Sequence, residues 1–144
     1  MKGTGAKGGR GISGKNNNAT LVVKNCTFED LGYPIYAWGG YKSLEIDNCT
    51  FSKIVSWSIM PQSGFDGDLT VNNCKFTDCK GGLIKAGTLT SGHTFTFTNN
   101  VVTNSTEHPN RNWFEFNVSA GTVVMSGNTM DGAAWTPGAA EGLK

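Results

Sequence analysis

Charge is scarce in this chain: 12 basic and 11 acidic residues among 144, a formal net charge of +1. So even a balance excludes the electrostatic footprint of a nucleic-acid binder or of a protein drawn to anionic membranes. Long apolar runs are lacking as well; none approaches the ~20 residues that span a bilayer. The first residues mix glycine with lysine and have no apolar stretch of the kind a secretory signal carries. Helical patterning is missing, because no ten-residue stretch free of Gly, Pro or Asn shows an i, i+3, i+4, i+7 apolar stripe.

Groups for chemistry are equally sparse. The two histidines are His93 and His108, and the two arginines Arg10 and Arg111. Asp66 and Asp68 form a close acid pair, in a turn-like GFDGDL context. His108 and Arg111 share an HPNRN loop with Glu107, but no second acid stands beside them, and a polar loop between strands is the better reading. The four cysteines form no CxxC and no Cys/His spacing for zinc. The sequence therefore names no catalytic residue, metal site or cofactor, and the expectation is a protein that is not an enzyme.

What is present is a repeat. LVVKNCTF (Leu21–Phe28), LEIDNCTF (Leu44–Phe51), LTVNNCKF (Leu69–Phe76), FTFTNNVV (Phe95–Val102) and VVMSGNTM (Val123–Met130) align with starts 23, 25, 26 and 28 residues apart. Positions one, three and eight are apolar in all of them, a strand alternation. Position five reads Asn25, Asn48, Asn73, Asn99, Gly127, and position six Cys26, Cys49, Cys74, Asn100, Asn128. A weaker strand follows each of the first four units: IYAW from Ile35, IMPQ from Ile59, IKAG from Ile84 and FEFN from Phe114.

Short strands at this period make a parallel β-solenoid. Each turn stacks on the last at ~4.8 Å and buries its apolar face only with its neighbours. Asparagine best tolerates the left-handed bend a coil corner demands, so its column has a structural task. Parallel crossovers are right-handed. The expectation is an all-β chain: a single-stranded right-handed parallel β-helix of about five coils, ~24 Å tall. Residues 1–18 would be a flexible Gly/Lys-rich arm, 19–135 the β-helix and 136–144 a second tail. Open solenoid ends need covers, which the tails supply, or a neighbouring subunit in a homo-oligomer.

The repeated LxIxNCTF unit resembles coils of the right-handed parallel β-helix (pectate-lyase-like) superfamily. It is particularly similar to the NCTF-rich modules of phage virion proteins and of Bacteroidetes surface proteins, from about Ala19 to Trp135. That superfamily holds lyases, hydrolases, tailspikes and inert scaffolds, and the NTD, DD, GHG and RIK motifs of its enzymes are missing here.

Alternation sends Tyr36, Met60, Lys85 and Glu115 outward, with Trp38, Gln62, Gly87 and Asn117 beside them. Aromatics mixed with these polar groups form a candidate sugar-stacking or protein-binding strip. Trp57 is expected over Tyr33, with Trp113 and Trp135 on later coils. Lys2, Lys7, Arg10 and Lys15 have no acid among them in the arm, which would suit an extended path over an acidic partner surface. The leading functional expectation is thus a structural or adhesive virion surface module, a capsid decoration or fibre, anchored to other virion proteins by its arm. The alternative is a carbohydrate-binding or polysaccharide-degrading module of a bacterial cell surface. Cys26, Cys49 and Cys74 are expected to point inward as reduced thiols.

Overall fold

The computed structural model describes residues 1–15, 18–61, 65, 67–103 and 113–144. Gln62, Asp66, Glu107, His108 and Arg111 lie outside the described residues. The strands are β1 (Arg10–Lys15), β2 (Thr20–Lys24), β3 (Thr27–Glu29), β4 (Tyr33–Trp38), β5 (Ser43–Asp47), β6 (Thr50–Ile54), β7 (Asp68–Asn72) and β8 (Lys75–Cys79). They continue as β9 (Ile84–Thr88), β10 (Thr94–Thr98), β11 (Val101–Thr103), β12 (Phe114–Asn117), β13 (Thr122–Ser126), β14 (Thr129–Met130) and β15 (Ala133–Ala134).

Three stacked faces result. The first runs β2-β5-β7-β10-β13 and the second β3-β6-β8-β11-β14, both parallel throughout. On the third, β1 pairs β4 and β9 pairs β12, bridged through Ile59 to Ile35 above and Ile84 below. Register follows the repeat residue for residue: Leu21, Leu44, Leu69, Phe95 and Val123 pair in one row. Phe28, Phe51, Phe76, Val102 and Met130 pair in another.

The corner between first and second faces is built at position five. Asn25, Asn48, Asn73, Asn99 and Gly127 all lie in the left-handed region, with φ from 50° to 67°. Their amides reach along the axis: Asn48 Nδ2 donates to Asn25 Oδ1 at 2.7 Å, and Asn73 and Asn99 donate to Asp47 and Asn72. A second left-handed column, Asp30, Lys53 and Asp78, turns the chain from the second face toward the third. Sequence reading missed this one, because its residue type is not constant.

Inside the corner, position six donates to the position-three carbonyl of the preceding coil. Cys49 Sγ reaches Val23 O, and Cys74 Sγ reaches Ile46 O. Asn100 Nδ2 reaches Val71 O at 3.0 Å, and Asn128 Nδ2 reaches Phe97 O at 2.7 Å. The two asparagines are buried yet paired, as desolvated amides must be. Phe28, Phe51 and Phe76 stack at centroid distances of 5.2 and 4.8 Å. Where position eight shrinks to Val102, position three grows from Val71 to Phe97, whose ring sits 6.5 Å from Phe76. Core volume is thereby conserved.

Both ends depart from the sequence reading. The segment read as a mobile arm is instead the first rung of two faces. Lys2 bridges to Glu29 on the second face, and β1 pairs with β4 over Arg10 to Lys15 on the third. Several of its glycines serve close approach rather than mobility. A Cβ on Gly3 would overlap the Asp30 carbonyl, and one on Gly32, across from this segment, the Lys7 carbonyl. Residues 136–144 are likewise built in: Leu143 bridges to Phe116, Val118 and Lys144 exchange backbone hydrogen bonds with that rung, and Leu143 is buried. On the second face β14 turns through Asp131 and Gly132, φ 50° and 82°, into antiparallel β15, a primed hairpin turn. Trp135 then crosses the core end against Phe97 and Phe114, at 6.3 and 6.1 Å.

Two outcomes test this architecture. Val71 is fully buried, so Val71→Asp should cost at least about 4 kcal/mol and abolish cooperative melting. Gly32→Val should release the first rung while the core still melts cooperatively. Hydrogen exchange would show faster amides in β1 and unchanged ones in β7.

Candidate ligand-binding face

The third face carries the residues that the sequence singled out. On β4, Tyr36 and Trp38 point away from buried Ile35 and Ala37, and Trp38 is 39% exposed. The first rung supplies cations to both rings: Arg10 lies 4.0 Å over Tyr36 and Lys15 5.5 Å from Trp38. Tyr33 meets Tyr36 edge-on at 5.5 Å. Two rungs on, the Lys85 ammonium joins both Glu115 oxygens, at 2.8 and 2.9 Å, and lies 5.9 Å from the Trp57 ring.

Beside that pair is a groove of about 290 Å³, lined by Gly87, Thr88, Glu115, Asn117 and Lys144 among others. A register shift between Glu115 and Asn117, opposite β9, opens it, and the rung formed at Leu143 closes its far side. Asn117 Oδ1 is held in place by Ser119, which donates from its N–H at 3.1 Å and from Oγ at 2.8 Å. Glycine at 87 leaves open space above the groove floor. The structure thus brings Lys85, Glu115 and Asn117 together and sets Tyr36 and Trp38 two to three rungs away, about 10–15 Å by strand spacing. Thr88 and Lys144 were missed, and Gly87, though read as outward, was not counted with the site; a glycine in that column was the available signal.

The Ile35–Ile59 bridge sets Trp57 opposite Tyr33, as expected, and the indole also packs on Gly82 of the next coil, where a Cβ would overlap its ring. Other expectations are corrected. Trp135, expected on a later coil, seals the core end. Lys2 has counter-charges after all, Glu29 at 3.4 Å and Asp30 at 3.8 Å, because the segment lies on the second face. Arg10 and Lys15 are committed to the aromatic rings, and Lys7 is exposed.

Residues 4–134 match a family model described as a right-handed β-helix region. The chain belongs to the right-handed β-helix family. The match begins within residues 1–18, in keeping with a first rung built from them. No curated protein and no solved structure matches the chain.

At the second corner of the β-helix two lysines meet one carboxylate. Lys53, 3.1 Å away, and Lys2 hold the Glu29 carboxyl below the usual carboxylate range, while Glu29 raises Lys53. A depressed carboxyl contributes stability that is present above its unfolded pKa and lost as pH falls through the folded one. A raised ammonium contributes stability that is lost as pH rises past the lysine range. Lys53→Ala should therefore move the Glu29 midpoint upward in an NMR titration; an unmoved midpoint would refute the tie.

All four cysteines are free. Burial pushes the Cys79 thiol up to about 12. Its neighbour Cys49 and burial raise Cys74, whereas the Cys74 hydrogen bond lowers Cys49. Cys26 is half-buried and the other three are buried. An aromatic disulfide reagent should label Cys26 first, and the other three only on unfolding.

Proposed function

We propose that this β-helix is a structural and adhesive module without catalytic activity that binds glycan along its third face. The observation that carries this reading is the groove at Glu115 and Asn117, open on the same face as exposed Trp38. A sugar is recognised by an aromatic plane together with oriented polar groups, and both are present there. Glu115 is committed to Lys85, and such a pair orients hydroxyl groups by hydrogen bonding. A glycosidase needs two carboxyls across one bond, one of them holding a proton.

The proposed setting is the outer surface of a virion, as a decoration or fibre protein; a bacterial cell surface is the alternative. A solenoid closed on two faces at each end suits both. Because residues 1–15 are built into the coil, anchorage through a free basic arm does not form part of the proposal.

A glycan array followed by calorimetry tests it, with polyuronides incubated in parallel. Binding without chain cleavage is expected, and Trp38→Ala should weaken it about three- to tenfold. Release of unsaturated or reducing ends would overturn the non-catalytic reading. Failure to bind any glycan would remove the adhesive one.

A further inference from the structure

The first face ends differently from the other two. On the second face the last parallel strand is covered by β15, and on the third β12 is covered by the rung at Leu143. On the first face, β13 pairs with β10 on one side and has no strand on the other among the described residues. Its burial shows the consequence. Position one is fully buried or nearly so in Leu44, Leu69 and Phe95, yet Val123 at that position is 40% exposed.

The outward side chains add an independent sign. Position two reads Val22, Glu45, Thr70, Thr96, Val124. The inner rungs are polar, as a solvent-facing column should be. Valine appears only at the two end strands, and Val124 is 44% exposed. Val123, Val124 and half-buried Met125 thus lie together on an edge that also offers unpaired backbone groups. Soluble sheets ordinarily blunt such an edge with charge, proline or a cover. Thr122–Ser126 has neither charge nor proline.

We infer that the free edge of β13 is a docking site for one extended, uncharged, apolar segment of another protein, added as the next rung of the first face. Two features fix the occupant. The neighbouring faces project past β13, the second by a whole strand at β15, so the edge lies in a step about one strand spacing, ~4.8 Å, deep. An extended strand enters that step, whereas a second solenoid brought end-on meets β15 and the Leu143 rung first. The chemistry is set by the column. Thr94, Thr96 and Thr98 of β10 and Thr122, Val124 and Ser126 of β13 make the outer surface of the last two strands chargeless, so a charged strand laid beside β13 would find no partner there.

The test uses the whole 144-residue chain and a synthetic peptide carrying residues 92–99, the β10 sequence, whose alternation already fits beside β13. A composition-matched scrambled peptide is the control. Amide hydrogen exchange should show new protection confined to Thr122–Ser126 with the first peptide alone. Val124→Lys should weaken binding about tenfold or more while leaving the melting transition in place. Val124→Thr, repeating the chemistry of Thr70 and Thr96, should show a smaller loss and guards against a folding defect in the lysine variant. Unchanged exchange in β13 would overturn the inference. So would protection that rises with protein concentration without peptide and coincides with a dimer in sedimentation, because a second copy would then be the occupant.

Discussion

One left-handed residue per coil, at position five, sets most of this structure. With φ between 50° and 67° there, the chain leaves the first face and enters the second within a single residue. Position six is thereby turned inward beneath the carbonyl of position three in the preceding coil. A short donor is needed at that place, and two kinds of side chain meet the need. The thiols of Cys49 and Cys74 do so in the middle coils, and the amides of Asn100 and Asn128 in the last two. Asparagine adds an acceptor that the thiol lacks: Asn100 Oδ1 takes the Cys74 N–H and Asn128 Oδ1 the Asn100 N–H, each at 2.9 Å. The change of residue type in the column preserves one hydrogen bond and gains another.

The first two faces were legible because each residue there answers to a rung above and below. Leu44 lies between Leu21 and Leu69, and Phe51 between Phe28 and Phe76, so periodicity alone places them. Composition misled at the ends. Six glycines before Lys15 read as slack, whereas several mark places where two backbones nearly touch. That distinction depends on which segment lies alongside, and a local window does not hold it. The same limit hid Lys144: its place beside Asn117 follows from the rung at Leu143, which has no repeat to announce it.

The third face is the least regular of the three, and the candidate groove lies there. It has no constant corner residue, one of its rungs is a single bridge at Ile59, and β12 shifts register against β9. Irregularity and cavity share a cause. Faces built from identical rungs close every gap between side chains, while a skipped register leaves one. Rigid faces then hold the walls of that gap, through Phe114 and Phe116 on the core side and the Lys85–Glu115 pair on the outer side.

Pairing confined to adjacent rungs also governs how the molecule carries load. Tension along the axis falls on one interface at a time, so rungs part in sequence from an end, each at modest force. Tension along the strands loads every ladder in shear at once. A solenoid of this build is therefore compliant in one direction and stiff in the other, and the direction of pull decides which of the two it presents.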